Sequence, residues 1–278
     1  MKYISTDALS GVCATRVMMN PVKTDIAGNR RWFISFKPNK QARLRLFCFP
    51  YAGGSPLIYR KWHEALPANV ELYAAQLPGR GNRMSESPFT RVTALVDAMA
   101  EDITLFLDKP FAIFGHSMGA LLSFELACRL RKDAGIEPAH LFISGHQSPQ
   151  SVRKDGRTYN LPEPEFIDEL RRLNGTPKEV LENPELMKLM IPLLRADFEV
   201  CQTYEYSSKN PLRCSITAFG GLQDEEVTPQ LLDGWRNHTN SSFLLRMLPG
   251  DHFFLHSSES ILLQIISQEL HRILKRID

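Results

Sequence analysis

Cysteine is scarce in this 278-residue sequence, and none of the five present (Cys13, Cys48, Cys128, Cys201, Cys214) stands in CxxC spacing. An odd, scattered set argues against both a disulfide framework and a zinc site, and fits free thiols in a reducing compartment. Cys48 and Cys214 lie in apolar, strand-like runs, where a thiol acts as a small buried hydrophobe. Neither sign of charge is in excess: 33 basic residues face 31 acidic ones, spread along the chain, for a formal net charge of +2. That leaves no nucleic-acid footprint and no polybasic membrane patch. Long apolar runs are missing too, both the stretch of about 18 residues that a membrane span needs and, beside Lys2, the apolar core of a signal sequence. The expectation is a cytoplasmic protein, apart from nucleic acid and membrane, with nothing that demands more than a monomer.

What is present is core-forming material. Hydrophobic residues make up 43% of the chain, enough for one α/β domain of this length but not for two. Residues 1–28 are nondescript and read as an N-terminal extension; 29–278 read as the folded domain. From Arg31 strand and helix signals alternate, the order that gives a mostly parallel sheet covered by helices on both faces. Strands are expected over Trp32–Phe36, Leu44–Phe49, Glu71–Leu77, the run ending at Phe114, His140–Ser144, Ile216–Phe219 and Phe243–Leu248. Helices are expected over Leu57–Leu66, Val92–Leu107, the stretch after Ser117, and Ile261–Ile277. Between about 148 and 210 the character changes: Pro162, Pro164, Pro177, Pro184 and Pro192 interrupt short helical stretches. An insertion there would lie over the strand C-terminal ends, where α/β sheets bind ligands, so it reads as a helical lid; a peripheral decoration is the alternative.

One short stretch carries chemistry. Gly115-His116-Ser117-Met118-Gly119 follows the buried run Phe111-Ala112-Ile113-Phe114 and precedes an apolar helical pattern ending at Gly135. The five-residue pattern alone is weak, but strand before and helix after make it a nucleophile elbow, with Ser117 exposed at a tight turn. The N–H of Met118, at the helix start, can then face an oxyanion. A serine needs a base, and elbow enzymes supply acid and then histidine later in the chain. Of eight histidines, His63 and His140 fall before or beside strands on the wrong side of that order. His116 is fixed beside the serine, His146 precedes any acid-bearing strand end, His238 lies in a helical pattern and His271 faces out of the last helix. His252 remains, in the glycine-led loop after the last strand, with His256 as its near rival. Asp224, in the loop Gly220-Gly221-Leu222-Gln223-Asp224, is the candidate acid, ahead of Glu225 and Glu226. Asp251 is better placed to fix its own loop. A second oxyanion donor is expected from the loop Tyr51-Ala52-Gly53-Gly54, with Ala52 foremost, unless the two glycines are merely a turn.

Taken in order, these segments resemble a known family. The motifs are Leu46-Phe47-Cys48-Phe49-Pro50-Tyr51-Ala52-Gly53-Gly54, Gln76-Leu77-Pro78-Gly79-Arg80, the elbow, Leu194-Arg195-Ala196-Asp197-Phe198 and Gly250-Asp251-His252-Phe253-Phe254. Together they resemble the stand-alone type II thioesterases that accompany polyketide synthases and nonribosomal peptide synthetases. The resemblance runs from about Trp32 to the C-terminus. It implies an α/β-hydrolase fold, a triad of Ser117, Asp224 and His252, a lid near 148–210, and no metal or organic cofactor. It also implies a partner substrate, an acyl group on the phosphopantetheine arm of a carrier protein, cleared when synthesis stalls or is mis-primed. Two features depart from the family pattern: Glu225 and Glu226 follow the acid where a proline is common, and the N-terminal segment is long. Arg80 and Arg83 could meet an acidic carrier or make structural contacts. Competing readings are a fatty-acyl carrier thioesterase or general carboxylesterase, and a noncatalytic binding module on the same fold.

Overall fold

In the computed structural model, which describes residues 32–151, 156–176 and 178–277, a seven-stranded sheet forms the centre of the molecule. The expected extension at 1–28 lies outside the described residues. In chain order the elements are β1 (Phe33–Ile34), β2 (Leu44–Phe49), β3 (Val70–Ala75), α1 (Val92–Ile103), β4 (Phe111–His116), α2 (Met118–Ala134) and β5 (His140–Ser144). There follow α3 (Glu163–Leu173), α4 (Lys178–Leu181), α5 (Pro184–Gln202), β6 (Ser215–Gly221), α6 (Pro229–Asp233), β7 (Phe243–Leu248), α7 (Phe254–Ser257) and α8 (Glu259–Arg276). The spatial order is β1-β3-β2-β4-β5-β6-β7, and only the β1–β3 pair is antiparallel. The mostly parallel α/β architecture expected from the alternation is the one observed.

Every residue of β2, β3, β4 and β5 is buried, as parallel strands covered on both faces must be. On one face Phe47, Ile113 and Leu141 pack with Leu95 and Met99 of α1 and Leu121 and Phe124 of α2. On the other, Leu46, Phe114 and Phe142 pack with Leu262, Ile266 and Leu270 of α8. Each such side chain contributes about 1.5–3 kcal/mol on leaving water, so burial rather than helix propensity holds these helices. Cys48 and Cys214 are buried as expected; burial raises the Cys48 thiol well above its ordinary range and pushes Cys214 up to about 12. Among the described residues no helix is long and apolar enough to cross a membrane.

Three local expectations need correction. Leu57–Leu66 is not an α-helix but two 3-10 turns, Pro56–Tyr59 and Trp62–Glu64. Its buried residues Pro56, Tyr59 and Trp62 recur every third position, the period of the tighter helix. Pro192 does not interrupt a helix, because α5 runs through it; burial of Ile191, Leu193 and Leu194 around it offsets the lost hydrogen bond. Pro164 and Pro184 sit in the first turns of α3 and α5, where a missing N–H costs nothing. The edge strand is also shorter than expected, only Phe33–Ile34.

Register positions the site. Phe49 pairs with Gly115, His116 with Ser144, and Ser144 with Phe219, so the C-terminal ends of β2, β4, β5 and β6 stand level. The loops leaving them meet above one edge, the place where open α/β sheets bind ligands.

Two buried histidines give the fold an acid limit. His140 stacks on Phe142 with centroids 4.3 Å apart, and its Nε2 lies 2.8 Å from Thr217 Oγ1. Burial, then the charge of Arg276, lowers it to about 4; burial, then Lys209, does the same to His238. Unfolded, each protonates near its ordinary value of about 6.5. The unfolded chain therefore binds more protons below that pH, so stability is full above it and falls as pH drops toward 4. At about 1.4 kcal/mol per pH unit for each group, acidification from about 6.5 to about 5 is expected to cost on the order of 2 kcal/mol per histidine. Urea unfolding across that range checks this, and His140→Gln should flatten the slope.

Candidate active site

Between β4 and α2 the chain turns at Ser117, with φ 53 and ψ −117. Among the described non-glycine residues only Ser117 and Asn174 have positive φ, and Asn174 is simply the left-handed cap of α3. Such a backbone stores about 1–3 kcal/mol, held here because both sides of the turn are pinned. The Ser117 N–H donates to Ser144 O at 2.8 Å, and Ser117 O accepts from the Ala120 N–H at 2.9 Å. The flanking glycines are required by close approach. A Cβ at Gly115 would stand 2.1 Å from Gly119 O, and one at Gly119 would stand 2.1 Å from Phe49 O. Met118 opens α2, so its N–H has no carbonyl one turn back to pair with.

The loop after β6 carries Asp224, and the loop after β7 carries His252. His252 Nδ1 lies 2.8 Å from Asp224 Oδ2. A carboxylate only accepts, so Nδ1 holds the ring proton and Nε2 keeps a free lone pair. Asp224 Oδ1 accepts from the N–H groups of Glu226 at 2.9 Å and Val227 at 3.0 Å, which fixes the carboxylate from behind. Its side chain is fully buried, whereas that of His252 remains partly open. The rivals point elsewhere. His256 pairs with Tyr51 Oη at 3.0 Å, and Glu226 pairs with Arg172. Asp251 accepts from the Phe253 N–H at 2.8 Å and from Asn174 Nδ2 at 3.1 Å, the loop-fixing part expected of it.

Ser117, His252 and Ala52 share the wall of one cavity of about 550 Å³. Among the described residues no hydrogen bond joins Ser117 to His252; such bonds often tighten only once substrate is bound. The opposite wall comes from α3 and α5, which form a small core of their own around Phe166, Leu170, Ile191 and Leu194. Leu170, Leu194 and Phe198 face the cavity, while Glu169, Arg172 and Glu226 make its rim charged. Beside it His116 is fully buried, with Nδ1 2.8 Å from Ser144 Oγ. Burial, then repulsion from His252 and His256, holds it well below the usual histidine range and hence neutral.

Residues 44–270 match the family model described as the thioesterase domain. The chain belongs to the thioesterase family. It is 44% identical over 251 residues to the gramicidin S biosynthesis protein GrsT of Aneurinibacillus migulanus, covering 90% of this chain and 98% of that one. Among solved structures it is similar to the RedJ thioesterase from the prodiginine pathway of Streptomyces coelicolor, with TM-score 0.78 and 38% identity over 82% of this chain and 91% of RedJ. It is similar also to the type II thioesterase BorB from the borrelidin biosynthetic cluster, with TM-score 0.79 and 35% identity over 86% and 97% of the two chains. The α/β-hydrolase fold and thioesterase activity that the resemblance implied are thus those of its family.

In this thioesterase the two arginines offered as carrier contacts are instead internal. Arg80 is bonded to Asp197 and Arg83 to Glu86, with Arg83 also stacked on Trp32 at 4.2 Å. Both are buried, which overturns the surface reading and leaves the structural one. Asp197, present in one of the family motifs but given no role there, carries a signal of its own: an acid on α5 among buried Leu193, Leu194, Ala196 and Val200 demands a partner.

Proposed function

We propose that this thioesterase hydrolyses acyl groups from the phosphopantetheine arm of a carrier protein, clearing stalled or mis-primed units during polyketide or nonribosomal peptide synthesis. The observation that carries the catalytic part is the 2.8 Å contact between His252 and buried Asp224 beside a serine strained at an elbow. In this reading His252 Nε2 takes the proton of Ser117 Oγ as the oxygen attacks the thioester carbonyl. Asp224 holds the tautomer and stabilises the imidazolium. The N–H groups of Met118 and Ala52 donate to the oxyanion. The C–S bond breaks, the thiol leaves with the proton from His252, and water activated by the same nitrogen cleaves the acyl-serine. The segment at 148–210 acts as a lid over the acyl chain, supported by the apolar side chains that α3 and α5 turn toward the cavity. The carrier partner is supported by likeness to relatives whose names place them in gramicidin S and borrelidin synthesis.

Incubating the protein with acyl-carrier, acyl-CoA and simple oxyester substrates bearing one acyl group tests this. The expected result is an acyl adduct on Ser117 by mass spectrometry, and kcat/KM at least about tenfold higher for the carrier thioester than for the other two. A strong preference for the oxyester would defeat the carrier reading, and equal turnover of acyl-CoA would point to a less selective thioesterase.

A further inference from the structure

An ion pair lies out of water beneath the loop that follows β2. Arg80 Nη2 donates to Asp197 Oδ1 at 2.7 Å and Nη1 to Oδ2 at 2.8 Å, with side chains 6% and 3% exposed. Desolvating two charges costs several kcal/mol per ion, and apolar pairs of similar volume are often as stable, so stability is a weak reason for such a pair. Its other bonds point to a better one. Asp197 Oδ2 also accepts from the Gly53 N–H at 2.7 Å, and Arg80 Nη1 donates to Gly54 O at 3.2 Å. Between these anchors Gly53 adopts φ 75, and the Gly54 N–H turns back to Tyr51 O at 2.9 Å. Tyr51 C=O and Ala52 N–H belong to one rigid peptide plane, pointing in opposite directions. Fixing the carbonyl therefore aims the N–H.

We infer that Arg80 and Asp197 are positioning residues for the oxyanion donor at Ala52. The inference rests on the reading of that N–H as a donor. Asp197 lies on α5, the helix whose Leu194 and Phe198 line the acyl cavity. A Cβ at Gly53 would fall 2.6 Å from Leu194 Cδ2, so helix and loop are also in direct contact. One helix thus shapes the cavity and holds the donor loop, and any displacement of α5 carries a change in the oxyanion site with it.

The test separates positioning from folding. In the double variant Arg80→Met/Asp197→Leu, apolar volume replaces both charges, so the pair itself is lost at little cost, while the Gly53 N–H and Gly54 O that it held are released at about 1–3 kcal/mol each, and the variant is expected to remain folded. Its kcat on an acyl-carrier thioester is expected to fall about 10²-fold with KM within about threefold. Affinity for a trifluoromethyl ketone, whose adduct with Ser117 places an oxyanion in the hole, should fall in parallel. Asp197→Asn keeps an oxygen for the Gly53 N–H and should lose only about tenfold. In the parent the ketone should shift the Ala52 amide proton downfield, and in the double variant that shift should be absent. A folded double variant with kcat and ketone affinity within about threefold of the parent would overturn the inference. Should that variant not fold, Asp197→Asn decides by the same readouts. If the parent forms the adduct without moving the Ala52 proton, the donor reading falls and the positioning role with it. The serine mechanism would survive that outcome, and fails separately if Ser117→Ala remains active.

Discussion

Ser117→Ala is expected to lower kcat on an acyl-carrier thioester by at least about 10⁴-fold, and adding His252→Ala to it should cost almost nothing more. A nucleophile and its base act as a unit, so removing either one removes the benefit of the other. The remaining rate over water would come from binding and the two proposed backbone donors, neither of which the substitutions touch. Stability separates this loss from unfolding. The strain at Ser117 arises from a Cβ at φ 53, and alanine keeps that Cβ, so the unfolding midpoint of Ser117→Ala should match the parent. Ser117→Gly removes the Cβ and is expected to gain about 1 kcal/mol while being just as inactive. Single-turnover kinetics and urea melts of the three variants measure both properties. Activity of Ser117→Ala equal to that of the parent would end the catalytic reading, and loss of activity in step with unfolding would weaken it.

The parts of this architecture legible in the sequence are those that depend on local pattern. Runs such as Phe111-Ala112-Ile113-Phe114 declare a strand buried on both sides, and the glycines around Ser117 declare the close crossing of helix and strand. Parallel strands put their following loops at one edge, so chain order alone suggested that the Asp224 and His252 loops would be neighbours. Where tertiary contact overrides local propensity, the sequence misleads. Pro192 looks like a helix breaker but sits in a helix held by burial around it. The stretch after Ser55 has helical composition, yet Tyr59 Oη donates to Phe49 O at 2.7 Å and Trp62 packs on Phe114, which draws it into tighter turns. The Arg80–Asp197 pair was illegible for another reason: its partners are 117 positions apart, and no periodicity links them. Arg80 alone reads as a surface charge, and only its burial shows otherwise.

Gly119→Ala is expected to be severely destabilising, costing more than about 4 kcal/mol and abolishing activity with it. The added Cβ would meet Phe49 O at 2.1 Å, Phe49 C at 2.6 Å and Pro50 O at 2.8 Å. All three are backbone atoms at the end of β2, so no side chain can rotate away to make room. Moving α2 outward instead would strip the Ser117 turn of its support and displace the Met118 N–H. Moving the end of β2 would carry the Ala52 loop with it. Either route damages a proposed oxyanion donor, so even a variant that folds should show a low kcat. Gly135→Ala is the matched control. Gly135 caps α2 at φ 69, but a Cβ there meets nothing within 4 Å, so only the left-handed backbone opposes it, at about 1 kcal/mol. Urea unfolding of the two variants should therefore separate them by about 3 kcal/mol, with activity retained only in Gly135→Ala. Equal costs would mean that the contact between the elbow helix and β2 is not what demands glycine at position 119.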